Sequence, residues 1–277
     1  MSITDNRIAL SIEENKAFHE KAWSHVVGVV NLKEKVDKDR RERWEGIGTG
    51  GAYRWRNKHI ILTAKHVLED AAESDVAFLP RTGTSLGWER PGEFTGMSER
   101  IGGSVEKIVY CLWEDLAAIV LSDKCISQLN VEFCELPNRF SSDTSLSTNG
   151  AVLVIGFPFD KVFEVSRIRT SGHTTISLGC PCESFWGEIV RDQERALGSG
   201  YDPECHLLIR FEPASLGRRP HGYSGATVWC DRRNSKGIWT AEPLLLGIQT
   251  HAYEKSGLLR AVRVDGVKRF LQESLPF

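Results

Sequence analysis

Apolar residues fall in short runs along most of the chain, and turn-forming residues separate most of those runs. The segments "KHIILTA" (58–64), "SDVAFLP" (74–80), "GSVEKIVYC" (103–111), "LAAIVL" (116–121) and "AVLVIGFP" (151–158) are rich in aliphatic and β-branched residues. So are "VSRIRTSGH" (165–173), "CHLLIRFE" (205–212), "GATVWC" (225–230) and "PLLLGIQT" (243–250). Gly, Pro, Asn and Asp clusters bound most of them, which predicts strands and not buried helices. "HVVGVVNL" (25–32) predicts a first strand ahead of the rest. Many short strands punctuated by turns predict an all-β sandwich or barrel.

Two segments break the pattern. In "SIEENKAFHEKAW" (11–23), Ser11 and Glu14 have capping-box spacing while Phe18 and Trp23 share a face, so an N-terminal helix is expected. "DGVKRFLQESLPF" (265–277) sets Val267, Phe270 and Leu271 on one side of a short C-terminal helix. The charge run "KEKVDKDRRERWEG" (33–46) predicts a solvated loop, and "ELPNRFSSDTSLSTNG" (135–150) is the most linker-like stretch.

Composition narrows the class of partner. With 277 residues, 41% of them hydrophobic, the chain can bury one large core or two small ones. Its formal net charge is -2, from 35 basic and 37 acidic residues, too small to recruit nucleic acid or an acidic membrane surface by field alone. The first thirty residues lack a basic start followed by an apolar core, and no run approaches the ~20 apolar residues of a membrane span. A cytoplasmic protein is expected, with neither nucleic acid nor membrane as partner. The seven cysteines are odd in number and without paired spacing, which predicts free thiols. Cys180, Cys182, Cys205 and His206 could together supply four zinc ligands, but ordinary thiols are preferred and no cofactor is expected.

Three separated segments carry chemistry. His66 follows an Ile- and Leu-rich strand in "ILTAKHVL", Asp115 precedes an apolar strand in "WEDLAAIVL", and Ser224 sits between Gly222 and Gly225 in "PHGYSGATVW". A serine hydroxyl is a poor nucleophile at neutral pH, so it needs a base to take its proton and a carboxylate to fix that base's tautomer. Each residue alone is more simply a core histidine, a strand-end carboxylate and a tight turn; the three together point to nucleophilic catalysis. The order of these motifs resembles that of the chymotrypsin-fold (trypsin-like) serine peptidases, in the style of HtrA-like and other bacterial members, over about residues 24–272.

That resemblance implies a double β-barrel. Residues 1–23 would be a helical extension, 24–135 a first barrel carrying His66 and Asp115, 136–150 a linker, and 151–277 a second barrel carrying Ser224 and the C-terminal helix. It implies a serine endopeptidase acting on protein or peptide substrates, with the N–H groups of Gly222 and Ser224 forming an oxyanion hole. Gln249, Thr250, His251 and Ala252 in "LLLGIQTHAY" would line the substrate cleft through β-addition. Arg218 falls at the position that sets trypsin-like specificity, so cleavage after Lys or Arg is disfavoured; Arg218, Arg219 and His221 could instead favour an acidic side chain, and a solvent-facing basic loop is at least as good a reading of them.

The departures from that family also shape the expectation. Tyr223 replaces the aspartate that receives a new N-terminus on zymogen cleavage in secreted relatives, so that ion pair is not available. An activating protein partner would be another way to restrain a cytosolic protease. Lys65 stands where a small residue is usual. Residues 183–204 read as an insertion that could form a helical lid or docking surface, and no PDZ-like domain is expected after the barrel. A rival α/β-hydrolase elbow, with Asp231 and His251 after Ser224, fails because Ala226 replaces its last glycine and the strand-helix alternation is missing. The alternative function is a latent or non-catalytic peptide-binding module of the same fold.

Overall fold

The computed structural model describes residues 12–36, 42–69, 71–79, 105–129, 131–136, 151–158, 163–170, 173–179, 182–190, 200–211, 221–233 and 239–276. The chain opens with helix α1 (Ile12–Trp23), which buries Phe18 and Ala22. The capping residue expected at Ser11 lies outside the described residues. Seven strands follow, β1 (Val26–Val36), β2 (Glu42–Trp55), β3 (Lys58–Thr63), β4 (Val76–Leu79), β5 (Val105–Tyr110), β6 (Ala117–Leu121) and β7 (Cys134–Glu135). A short helix α2 (Asp123–Gln128) precedes β7, capped by the Ser122 hydroxyl, which accepts from the Cys125 N–H. The strands form one sheet in the order β4-β1-β2-β3-β6-β5, with β7 added in parallel to β2.

The second half begins with β8 (Ala151–Gly156) and a separate hairpin of β9 (Phe163–Thr170) and β10 (His173–Gly179). It continues through β11 (Glu183–Ile189), β12 (His206–Arg210), β13 (Thr227–Arg233), β14 (Trp239–Tyr253) and β15 (Leu258–Arg263), and ends in helix α3 (Val264–Ser274). Six of these strands close into a barrel in the order β11-β12-β15-β14-β13-β8. Around that barrel each strand has a neighbour on both sides over its paired length.

One cluster joins the two halves. Tyr53, Ile60 and Leu62 of the first sheet pack in the same buried group as Leu153, Ile155 and Trp229 of the barrel, together with Phe18 of α1 and Val267, Phe270 and Leu271 of α3. The expected face of the C-terminal helix is thus the buried one. Phe18 also stacks on Trp186 of β11, with ring centroids 5.7 Å apart, so α1 packs against the barrel. Among the described residues no helix is long and apolar enough to cross a membrane.

Three local expectations need correction. The charge run at 33–46 is not simply a loop, since Glu34, Lys35 and Val36 pair with Trp44, Arg43 and Glu42 in a long β1–β2 hairpin. Backbone pairing is indifferent to side-chain charge, and hydropathy does not register it. The stretch beginning at 183 is likewise no insertion at its start. Residues 183–189 are barrel strand β11, with Phe185 and Gly187 buried and Trp186 and Glu188 exposed; one apolar residue of that alternation is a glycine, which weakens its signal. Finally, "VSRIRTSGH" is the core of a hairpin whose second strand, β10, is rich in Thr and Ser. The linker expected at 136–150 lies outside the described residues beyond Leu136.

Candidate active site

His66 stands on a 3-10 turn, Lys65–Leu68, that leaves β3. Val67 and Leu68 are buried and hold the turn down, while Lys65 and His66 remain exposed. Asp115 lies in the 112–115 bend between β5 and β6, a loop closed at its base by the Cys111 N–H donating to the Leu116 carbonyl at 2.9 Å. The Lys65 N–H donates to the Asp115 carbonyl at 3.3 Å, which ties the two segments together.

Ser224 sits on a tight elbow. Gly222 and Gly225 have φ of 91° and 88°, a left-handed backbone that favours glycine. A Cβ on Gly225 would lie 1.9 Å from the Thr49 carbonyl oxygen and 2.4 Å from Thr63 Oγ1, so glycine is needed there on two grounds. The Gly225 N–H donates to the Gln249 carbonyl at 2.7 Å, and the Gln249 N–H donates to the Ala226 carbonyl at 2.8 Å. Tyr223 points into the barrel core, 1% exposed, with its ring edge-on to Phe185.

Thr49 of β2 fastens this elbow to the first sheet. Its N–H donates to the Ser224 carbonyl at 2.7 Å, and its hydroxyl donates to the Gly222 carbonyl at 2.8 Å while accepting from the Phe157 N–H at 2.9 Å. The Thr63 hydroxyl donates in turn to the Thr49 carbonyl. Removing the buried Thr49 hydroxyl would leave two backbone groups without their partner. Thr49→Val is therefore expected to destabilise the fold by about 2–3 kcal/mol, with Thr49→Ser costing under about 1 kcal/mol, read by chemical denaturation. Equal stability of the Val and Ser variants would contradict this role.

The three residues singled out in the sequence meet here. Asp115 Oδ2 lies 2.6 Å from His66 Nδ1, and Asp115 Oδ1 accepts from the His66 backbone N–H at 3.0 Å. His66 Nε2 lies 2.8 Å from Ser224 Oγ. With the proton on Nδ1, the imidazole donates to the carboxylate and accepts from the serine hydroxyl through Nε2. Burial pushes the Asp115 carboxyl upward, but the His66 ring and backbone N–H, together with the nearby Arg260 charge, outweigh it and hold it below the ordinary carboxylate value. Its contribution to stability is thus complete above the unfolded carboxylate value and is lost as pH falls through the lower folded one.

The remaining expected residues are placed less uniformly. Gln249 and Thr250 are 1% and 0% exposed, so their side chains lie beneath the surface, and the Gln249 backbone supports the elbow. His251 is exposed and Ala252 half-buried. Partial burial, then the charges of Arg260 and His66, push the His251 imidazole below its ordinary value. Arg218 and Cys180 lie outside the described residues. Both ring nitrogens of His206 have hydrogen-bond partners. Its Nδ1 accepts from the Asp202 N–H at 2.8 Å, and its Nε2 lies 2.9 Å from Glu114 Oε2, a buried link between the barrel and the residue preceding Asp115. Among the described residues no three His, Cys, Asp or Glu side chains group as metal ligands.

Thr49, Thr63, Glu114 and Arg260 were not legible as site residues. Thr49 had a faint signal in its place amid the glycines of "GTGGAY". No protein-family model matches the chain, and no curated protein matches its sequence.

Proposed function

We propose that the chain is a serine endopeptidase of the chymotrypsin fold, hydrolysing peptide bonds through His66, Asp115 and Ser224. The observation that carries this is the continuous line from the Asp115 carboxylate through His66 to Ser224 Oγ, at 2.6 and 2.8 Å. A closed six-stranded barrel bearing the serine, beside a sheet bearing the histidine and aspartate, supports the double-barrel reading.

In the acylation step Ser224 Oγ bonds to the carbonyl carbon while its proton passes to His66 Nε2. The negative charge on the carbonyl oxygen is met by the N–H groups of Gly222 and Ser224. The C–N bond then breaks, His66 returns the proton to the leaving amine, and water hydrolyses the acyl-enzyme by the same base. Asp115 stays ionised throughout and stabilises the imidazolium.

Substrate binding has a place in the same reading. β13 pairs with β14 only as far as Ile248, whereas β15 continues opposite His251, Ala252 and Tyr253. One side of 251–253 therefore carries no strand among the described residues, and an extended peptide adds there as a further strand. Free thiols at Cys111, Cys125 and Cys205 suit a reducing cytosol. Tyr223, packed in the core, takes the place of a charged activation partner, so we assign restraint of activity to a protein partner.

The test is digestion of a peptide library with mass-spectrometric identification of new N-termini, using the wild type and Asp115→Asn. The wild type is expected to cut, and Asp115→Asn to be slower by about 10³–10⁴-fold, because the imidazole loses its tautomer control. An uncut library, or an Asp115→Asn variant as fast as wild type, would overturn the proposal.

A further inference from the structure

A pocket of about 370 Å³ opens beside Asp115, bounded by Lys65, Leu112, Trp113, Glu114, Asp115 and Arg260. Two cations and two carboxylates line it, but they are not equivalent. Both carboxylates already have histidine partners, Asp115 with His66 at 2.6 Å and Glu114 with His206 at 2.9 Å. Neither Lys65 nor Arg260 forms an ion pair with any described residue. Arg260 donates from one terminal nitrogen to the Gly200 carbonyl, and its Nε–H is buried without an acceptor among the described residues.

A buried donor left without an acceptor is costly, and a guanidinium presents its donors in a fixed fork that matches a carboxylate. The apolar wall is built as well. Leu112 is 96% exposed. Trp113 is held against α3, with its indole N–H donating to Glu273 at 3.3 Å and the Arg269 guanidinium 4.9 Å from its ring centre. Arg260 stands directly opposite His251 in the β14–β15 register, one strand over from a peptide added on the free side of 251–253, so a long side chain has to reach across β14 to meet it.

We infer that this pocket selects an acidic side chain of the substrate, with Lys65 and Arg260 as its specificity-determining residues and Leu112 and Trp113 as walls for the methylenes. The inference rests on the peptidase reading for its substrate but not for its electrostatics. Lys65, unusual in the position before the histidine, acquires a function in this way. The acid enters between two cations that form no ion pair with a described residue, although the Arg260 charge also acts on Asp115. Its carboxylate forms charge-assisted hydrogen bonds, while Asp115 and Glu114 stay engaged with their histidines.

The experiment uses a panel of peptides that differ only by Glu or Gln at successive positions. Binding is measured to full-length Ser224→Ala, and hydrolysis to the wild type. In one register the Glu peptide is expected to bind about tenfold or more tightly than its Gln twin, with the advantage shrinking as salt is raised. Lys65→Met with Arg260→Met should bring the Glu/Gln ratio near one, and Arg260→Lys should restore part of it. Lys65→Glu alters an exposed side chain and should reverse the preference on its own, which keeps the test decisive if the double variant does not fold. No Glu preference in any register, or one that survives Lys65→Glu, would overturn the inference. The two readouts separate the claims. Glu-selective binding without hydrolysis would sink the peptidase and leave the pocket, and hydrolysis without Glu selectivity would do the reverse.

Discussion

Ser224→Ala is expected to lower kcat/KM on any cleaved peptide by about 10⁴-fold or more, with His66→Ala as damaging and the double variant no worse than either. The reason is that the two side chains act as one unit. Ser224 Oγ has its proton acceptor at 2.8 Å, and a serine without that acceptor is as ineffective as a base without a nucleophile. The residual rate comes from binding and from backbone donors at the elbow, which neither substitution touches. Ser224→Ala should melt at nearly the wild-type temperature, because the elbow is held by its backbone and by Thr49, not by Oγ. Rates within tenfold of wild type in either single variant, or additive losses in the double, would refute a shared proton-transfer unit.

Gly225→Ala should have the largest effect on the fold itself. The added methyl would meet the Thr49 carbonyl at 1.9 Å, a backbone atom that also accepts from Thr63, and φ at 225 is 88°. The clash cannot be relieved by a side-chain rotation, so the elbow and β2 must separate. Overpacking and left-handed strain together imply a loss of about 3–5 kcal/mol, or a fall in melting temperature of about 10 °C. Since the carbonyl of Ser224 is tied to Thr49, the displacement also carries Oγ away from His66. A melting temperature within about 2 °C of wild type would show that the contact is not rigid.

Most strands were readable because they bury one or both faces. β6, "AAIVL", is buried at every residue, and β3 and β8 nearly so, which gives the continuous apolar runs on which the reading relied. The strands that escaped notice get their partners by other means. β11 alternates through a glycine, β10 is polar, and the arms of the β1–β2 hairpin pair through backbone despite their charges. β15, "LLRAVR", was hidden by its arginines, one of which lines the pocket beside Asp115.

The site divides along similar lines. His66, Asp115 and Ser224 could be found because their chemistry restricts residue type and their glycines are local. The supports could not, since Thr49 lies 173 residues from the Gly222 carbonyl it holds, and nothing in a threonine between glycines announces that contact. Gln249 and Thr250 were misplaced for a related reason. The bulge between Gln249 and His251 changes which residues of β14 face outward, and a bulge follows from pairing, not from hydropathy.

Central to this account is that Ser224 is an activated nucleophile, and reaction of the purified protein with a fluorophosphonate tests it most directly. Attack by Oγ on phosphorus expels fluoride and passes the proton to His66, so the product is a stable phosphonate ester. One adduct is expected, mapped by mass spectrometry to Ser224 and absent from His66→Ala. A folded wild type that gains no adduct, or gains one elsewhere that persists in His66→Ala, would contradict it and favour a peptide-binding module built on the same two sheets.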